Sequence, residues 1–160
     1  MKIEDSFVEE NLFNDLSSYL FATSTPWYKK IGTTVVDEPE LLWFSHCFYN
    51  NGAPDCEAYE LIVPILQKLG CRAPMRVQAN LVLKTPEPFR THWHTDFEYK
   101  DSHTSILYMN KCNGATVFKL DDEKVMSEAN RMVTFNALKE HATLTQTDVE
   151  ERIVVNLNYF

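Results

Sequence analysis

A series of short apolar segments separated by polar turns fills the chain after residue 75, and it restricts the possible folds more than any other feature. Turns such as NKCNGA at 110–115 divide these segments. About eight of them have the lengths and residue types of strands, which is typical of an antiparallel sandwich or barrel. The predicted strands are 76–84, 91–96, 104–109, 116–120, 124–126, 131–135, 141–146 and 152–159.

Helical patterns dominate the first part of the chain. Apolar residues recur at helical spacing over 8–20, and Ser6 with Glu9 fits a capping box, which predicts that Ser6 starts this helix. A second apolar stripe predicts a helix over 55–69. Pro64 lies inside this second helix, and a bend is expected there because an interior proline loses a hydrogen bond.

The chain is expected to form one domain over residues 1–160, because it shows no repeat and no linker and its 44% hydrophobic content can supply a core. Residues 1–75 are expected to form a helical support region, although 41–49 is compatible with a buried strand. Residues 76–160 are expected to form the β core. The predicted fold class is mainly β with flanking helices, an α+β arrangement in which the N-terminal helices buttress the sheet.

Composition argues against several classes of function. The net charge of -8 at pH 7 disfavours a general binder of nucleic acids or anionic membranes. No apolar run approaches the roughly 20 residues of a membrane span, and the acidic N-terminus lacks a signal-peptide core, so a cytoplasmic location is expected. The four cysteines include no C-x-x-C pair, which favours free thiols over a structural zinc site.

The stretch THWHTDF at 91–97 is the densest group of possible metal ligands. On an extended backbone, residues two apart point to the same side, which groups His92, His94 and Asp96 on one face. Imidazole and carboxylate groups together suit a divalent transition metal. Taken alone, the stretch is better explained as polar residues at a solvated strand edge, and the rest of the chain has to supply the case for a metal site. Only His94 has a carboxylate two residues later, so His94 and Asp96 form the stronger pair.

A third ligand has to come from a different strand. His141 opens the predicted strand 141–146, whereas His103 lies only nine residues after His94 in a polar turn and is a weaker candidate. Two histidines and one carboxylate leave three positions open on a metal, as in non-haem Fe(II) oxygenases. Eleven residues after His141, Arg152 begins the last predicted strand, and its guanidinium can bind a carboxylate in bidentate fashion.

These features occur in an order that resembles a known family. The order is H-x-D at 94–96, Y-x-N at 108–110, G-x-T-x-F at 114–118, then His141 and Arg152. Residues 76–160 resemble the double-stranded β-helix, or jelly roll, of the 2-oxoglutarate and Fe(II)-dependent dioxygenases, especially the prolyl-hydroxylase-like branch. The chain departs from the family in the first strand of this core, where relatives often carry a tyrosine and this chain has ANLVLK.

The resemblance implies a role for each matching residue. His94, Asp96 and His141 would bind Fe(II) and form the catalytic centre, and Arg152 would pair with the distal carboxylate of 2-oxoglutarate. Further cosubstrate contacts are expected from Tyr108, Thr104 and Asn80, although Tyr108 is also explained as an ordinary core aromatic. The implied reaction uses O2 and couples oxidative decarboxylation of 2-oxoglutarate to hydroxylation of a substrate.

The sequence leaves the substrate open, and it leaves two other classes of protein to be considered. A prolyl group of a peptide, a small free amino acid and a modified base are all compatible with the motifs. One alternative is a cupin-like barrel that binds a metal without oxygenase activity. The other is a jelly-roll interaction module with no catalytic function. The presence of Arg152 after the second histidine favours the oxygenase.

Overall fold

A computed structural model of the chain describes residues 1–31, 41–120 and 123–160. Its helices are α1 (Glu10–Leu20) and α2 (Val63–Lys68), and a 3-10 helix (Glu57–Leu61) precedes α2. Neither α-helix is long and apolar enough to cross a membrane. The strands are β1 (Lys2–Glu4), β2 (Tyr28–Ile31), β3 (Leu42–Asn50), β4 (Ala53–Pro54), β5 (Pro74–Leu83), β6 (His103–Tyr108), β7 (Ala115–Phe118), β8 (Lys124–Met126), β9 (Arg131–Asn136), β10 (His141–Leu144) and β11 (Glu151–Tyr159).

The strands form two antiparallel sheets. The large sheet has the order β1-β9-β6-β11-β5-β3-β2, with β4 paired to β3, and the small sheet has the order β10-β7-β8. Side chains from both sheets meet in one apolar cluster, in which Phe118 and Val125 of the small sheet pack with Val133 and Val154 of the large sheet. The structure confirms the predicted fold class, a mainly β jelly roll with flanking helices.

The helices cover the other face of the large sheet. Successive residues of a strand point to opposite faces, so Ile153, Val155 and Leu157 of β11 pack toward the helices, where they share a core with Leu16 and Leu20 of α1. Burying one such aliphatic side chain stabilises a fold by about 1.5–3 kcal/mol. The alternate residues of β11 face the small sheet, and this face carries the candidate site.

The N-terminal part contributes more than helical support. It supplies β1 to one edge of the large sheet and β2 and β3 to the other, and β3 pairs with β5 along most of its length. The sequence 41–49, which was compatible with a buried strand, forms β3 at Leu42–Asn50. The expected helical support region over 1–75 thus also contains strands, and the aromatic residues Trp43, Phe44 and Phe48 favour the strand conformation of β3.

The predicted capping box at Ser6 is wrong. Helix α1 begins at Glu10, and its N-cap Glu9 makes no side-chain hydrogen bond to the helix. Asn130 holds the preceding residues instead, because its Oδ1 accepts from Val8 N at 2.8 Å and its Nδ2 donates to Val8 O at 2.8 Å. Asn130 thus attaches Val8 to the end of the large sheet, and the helix begins two residues after Val8.

The second helix is divided where the proline predicts a bend. A 3-10 helix ends at Leu61, and α2 starts at Val63 with Pro64 in its first turn. A proline at this position costs no helical hydrogen bond, because the N–H groups of the first turn have no partner within the helix. The expected single helix over 55–69 is thus two short helices.

The segment 91–96 does not form the predicted strand. Only isolated bridges are present, between Arg90 and Leu144 and between His94 and His141. The remaining strand predictions after residue 75 are confirmed with small shifts at their ends. The isolated bridges leave 91–96 attached to β10 at single points rather than along a continuous ladder, which fixes His94 beside His141.

Candidate metal centre and anion pocket

The backbones of His94 and His141 hold the two imidazoles side by side. His94 N donates to His141 O and His141 N donates to His94 O, both at 3.0 Å. The ring centroids lie 4.4 Å apart. This reciprocal pair brings together two residues that are distant in sequence, and it does so without a regular strand at 91–96.

Backbone carbonyls fix the orientation of both rings. His94 Nδ1 lies 3.2 Å from the carbonyl oxygen of His92, and His141 Nδ1 lies 3.0 Å from that of Lys139. A carbonyl oxygen can only accept, so Nδ1 is the donor in each ring and Nε2 is the nitrogen that faces a metal. Histidine ligands in metal sites are oriented in this way by hydrogen bonds from their second nitrogen.

Asp96 completes the group from a nearly buried position. Its Oδ2 accepts hydrogen bonds from Thr104 Oγ1 at 2.9 Å and from Asn158 Nδ2 at 3.0 Å. Arg76 Nη2 lies 3.5 Å from the other carboxylate oxygen, Oδ1. His141 Nε2 lies 3.9 Å from Oδ2. The carboxylate is therefore held by three polar side chains from the three neighbouring strands β6, β11 and β5, and it faces His141.

The protonation states of these groups suit metal binding. Burial raises the pKa of the Asp96 carboxyl, but His141, Asn158, Arg76 and Thr104 together outweigh it and leave that pKa below the ordinary value. Burial lowers the pKa of His141, and the nearby Asp96 offsets this only in part. At neutral pH the carboxylate is charged and the imidazole is neutral, which are the forms that bind a metal.

The side-chain ligand atoms of His94, Asp96 and His141 all lie within 4.8 Å of one another. His141 is buried and Asp96 is partly buried, whereas His94 is exposed. The group therefore opens on one side, which would leave coordination positions accessible to other ligands. Two nitrogen donors and one oxygen donor are a set that fits Fe(II) or Mn(II).

A cavity of about 220 Å³ extends from these residues between the two sheets. The strand alternation determines its walls, since residues 76, 78, 80 and 82 of β5 and 152, 154 and 156 of β11 all point into it. Its lining combines polar and apolar side chains: Trp43, Arg76, Gln78, Asn80, Val82, His94, Thr95, Asp96, Ile106, Thr116, His141, Thr143, Arg152, Val154 and Asn156.

Arg152 lines this cavity and is 1% exposed. Within the described part of the chain, its Nε, Nη1 and Nη2 have no hydrogen-bond partner. Its Cζ lies 5.4 Å from the centroid of the Tyr108 ring. Burial lowers the pKa of Arg152, but a guanidinium is so strongly basic that it keeps its charge at neutral pH. A buried cation with unused donors is costly unless an anion pairs with it.

Gly114 leaves room for the Arg152 side chain. A Cβ at Gly114 would lie 2.9 Å from Arg152 Cδ and 3.2 Å from the backbone oxygen of Leu144. The first distance is shorter than real Cβ contacts allow, so a larger residue would displace the guanidinium. The glycine in the G-x-T-x-F segment therefore shapes the position of the cation.

The three weaker cosubstrate candidates occupy different places. Asn80 lines the cavity, where its Oδ1 accepts from Gln78 Nε2 at 2.6 Å. Tyr108 lies buried beneath Arg152, and its hydroxyl donates to Thr116 Oγ1 at 2.8 Å. Thr104 contacts Asp96 rather than the cavity, because it lies in the same row of the sheet as Asn158. Only Asn80 is in a position to contact a bound molecule directly.

Two histidines of the sequence analysis lie apart from this group. His103 is exposed at the start of β6 and stacks on Tyr159, with ring centroids 5.8 Å apart. The side chain of His92 does not line the cavity among the described residues, although its carbonyl orients His94. The choice of His141 over His103 as the partner of His94 therefore agrees with their positions.

Sequence reasoning missed several residues of the site, among them Arg76, Asn156 and Asn158. The alternation of β11 contains the signal for two of them, because Asn156 and Asn158 share the parity of Arg152 on an otherwise apolar strand. Arg76 likewise shares the parity of Asn80 on β5. Trp43 lies on β3, and the pairing of β3 with β5 is not visible in the local sequence pattern.

The fold is shared with solved structures of oxygenases. A 2OG-Fe(II) oxygenase family protein from Burkholderia pseudomallei has a TM-score of 0.71 and 12% identity, over 97% of this chain and 82% of that one. A prolyl-4-hydroxylase from Pseudomonas putida has a TM-score of 0.64 and 17% identity, over 99% and 91% of the two chains.

A prolyl hydroxylase from Trichoplax adhaerens was solved with a peptide fragment of the hypoxia inducible factor oxygen degradation domain. It has a TM-score of 0.69 and 12% identity, over 99% of this chain and 82% of that one. No protein-family model matches the sequence, and a search of curated proteins gives no match. At these identities the comparisons establish the fold of the 2-oxoglutarate and Fe(II)-dependent oxygenases, which confirms the resemblance read from the motifs at the level of fold.

Proposed function

We propose that this protein is a non-haem Fe(II) oxygenase that couples oxidative decarboxylation of 2-oxoglutarate to hydroxylation of a substrate. The observation that carries the proposal is the coexistence of two complementary features in one cavity. One wall presents two imidazoles and a carboxylate with converging ligand atoms. Another presents the buried guanidinium of Arg152, which has no hydrogen-bond partner among the residues that the structure describes. A ligand with a metal-chelating end and an anionic end would satisfy both.

The residues present fit the implied metal and cosubstrate. His94, Asp96 and His141 would hold Fe(II), and Arg152 would pair with the distal carboxylate of 2-oxoglutarate. The bound iron would supply activation of O2 and transfer of one oxygen atom. The chain itself orients the ligands through the carbonyls of His92 and Lys139, and it fixes Asp96 through Thr104 and Asn158.

A cupin-like barrel that only binds a metal is the alternative. Such a protein would need the three ligands but would have no use for a fully buried arginine without a partner. Leaving a charged group unpaired in the interior is strongly unfavourable, so its presence supports an anionic second ligand. This consideration favours the oxygenase.

The substrate is a small molecule or a peptide, and a prolyl group is the candidate suggested by the solved prolyl hydroxylases with this fold. A cytoplasmic location remains a prediction from the sequence.

Assembly of the ternary complex tests this proposal. Under anaerobic conditions, adding Fe(II) and then 2-oxoglutarate to the purified protein should produce the metal-to-ligand absorption band of a chelated 2-oxo acid. Fe(II) alone should not produce it. Succinate formation after admission of O2, measured across a panel of peptides and amino acids, would then identify the substrate. Fe(II) binding without any 2-oxoglutarate binding would favour the metal-binding barrel.

A further inference from the structure

We infer that Trp43 is a second hydrogen-bond donor for the anionic end of the ligand. Strand β3 would then contribute to the same anion pocket as Arg152. This inference rests on the proposed function, and it assigns a role to the N-terminal part of the chain. The indole N–H and the guanidinium would together hold one carboxylate. The observation behind it is that Trp43 and Arg152 line one cavity from one row of the large sheet, and that their buried donors have no hydrogen-bond partner within the described ranges.

The sheet register places the two residues in one row. Trp43 pairs with Val82 across β3 and β5, and Val82 pairs with Arg152 across β5 and β11. Residues in one row of a sheet point to the same face, and two strand spacings separate their Cα atoms by about 10 Å. Both side chains are long and line the same cavity, on either side of Val82.

The indole N–H has no partner that would explain its burial. Trp43 Nε1 is inaccessible to solvent and makes no hydrogen bond to any residue in the described ranges. Tryptophan N–H groups usually find a partner when they are buried, because an unmade hydrogen bond in the interior is costly. The same is true of the three nitrogens of Arg152. An acceptor supplied by a ligand would satisfy both residues at once.

A carboxylate has the capacity to accept from both donors. Its two oxygens offer about four acceptor positions, and a bidentate arginine uses two of them. The remaining positions can accept the single N–H of an indole, whose rigid plane also provides an apolar wall. A neutral end group would leave the guanidinium charge unpaired. The pocket therefore selects a ligand with a carboxylate at the end remote from the metal centre.

Substitution of Trp43 by phenylalanine tests the inference, because it removes the N–H and keeps an aromatic ring. In the presence of Fe(II) without O2, calorimetry should show 2-oxoglutarate binding about tenfold to a hundredfold weaker than in the wild type. Trp27→Phe is the matched control, since Trp27 packs on the helical face of the sheet and does not line the cavity among the described residues. Its affinity should equal that of the wild type.

The ligand provides a second control. 2-Oxopentanoate has the same five-carbon chain as 2-oxoglutarate but lacks the distal carboxylate. If Trp43 binds that carboxylate, Trp43→Phe should weaken 2-oxoglutarate binding while leaving the weaker binding of 2-oxopentanoate unchanged. An equal loss for both ligands would overturn the inference and indicate a general packing defect. Fe(II) affinity should be the same in all these variants.

Fluorescence gives a readout independent of affinity. In the double variant Trp27→Phe/Trp93→Phe, Trp43 is the remaining tryptophan, and its emission should change when 2-oxoglutarate binds to the Mn(II)-loaded protein. If the wild type binds 2-oxoglutarate and Trp43→Phe binds it with the same affinity, the role of Trp43 is overturned but the proposed function is not. A wild type that binds no 2-oxoglutarate would instead overturn the proposed function.

Discussion

Asn158 donates from one amide nitrogen to both Asp96 Oδ2 and Thr104 Oγ1, each at 3.0 Å, so a residue of the last strand orients the only carboxylate of the candidate metal centre. Its Oδ1 in turn accepts from Arg76 Nε at 3.3 Å and Nη2 at 3.2 Å. Asn158 is fully buried and links Thr104 and Arg76, the two other side chains that hold the Asp96 carboxylate. The carboxylate is therefore positioned before any metal arrives.

Replacing Asn158 with alanine should weaken metal binding about 10- to 100-fold, the usual effect of removing a partner of a metal ligand. Titration with Mn(II), followed by electron paramagnetic resonance, would measure it. Asn156→Ala is the matched control, because Asn156 lies on the same face of β11 and lines the cavity, whereas the hydrogen bonds to Asp96 within the described ranges come from Thr104 and Asn158. Equal affinities for Mn(II) in the two variants would contradict the positioning role of Asn158.

Local patterns predicted much of this fold. Period-two alternation and turn residues located most strands after residue 75, and the proline located the break before α2. The predicted cap at Ser6 failed because Asn130, more than a hundred residues away, holds Val8 by two hydrogen bonds. A local sequence motif has no information about such a partner, and tertiary contacts override it.

In the candidate site, too, local patterns predicted some features and contacts between distant segments determined others. The spacing of His94 and Asp96 and the order of motifs predicted the group that the structure brings together. The expected reason was incorrect in part, since 91–96 is not a strand and single bridges place His94 instead. Trp43 was not singled out because its place in the site depends on which strand pairs with β5. Pairing between distant segments is set by the whole sheet rather than by either segment alone.

Gly114→Ala should separate the anion pocket from the metal centre. The new methyl group would lie 2.9 Å from Arg152 Cδ and 3.2 Å from a backbone oxygen, so the arginine must move. Overpacking of this kind typically lowers the free energy of unfolding by about 1–3 kcal/mol. Binding of 2-oxoglutarate should weaken while Mn(II) affinity stays unchanged, as measured by calorimetry and by chemical denaturation. Undisturbed 2-oxoglutarate binding would show that the guanidinium position does not depend on Gly114.

His141→Ala should abolish metal binding without unfolding the protein. It removes one imidazole of the group, while the backbone pair with His94 does not depend on the side chain. His103→Ala is the control, because His103 is exposed on β6 and lies outside the group. Iron content after anaerobic reconstitution would measure both, with circular dichroism to verify the fold. Loss of iron in His103→Ala but not in His141→Ala would mean that the second histidine is misassigned.

Arg152→Ala should retain Fe(II) but lose 2-oxoglutarate. The variant leaves the distal carboxylate unpaired in a largely closed pocket, at a cost of about 2–5 kcal/mol by analogy with other buried charge pairs. That cost corresponds to binding weaker by about 30-fold to several-thousand-fold. Arg152→Lys should not restore wild-type affinity, because a compact ammonium cannot reproduce the planar, bidentate geometry of a guanidinium.

Anaerobic calorimetry would report the affinity of both Arg152 variants, and the metal-to-ligand absorption band would report chelation at the metal. The two readouts should fail together in Arg152→Ala, while the iron content matches that of the wild type. The variants also distinguish two reasons for burying the Arg152 cation, the packing of β11 and the binding of a ligand. If Arg152 serves only the packing of β11, Arg152→Ala should lower stability and leave the affinity for 2-oxoglutarate unchanged. If it serves the ligand, removing an unpaired buried charge should leave stability equal or higher while the affinity falls.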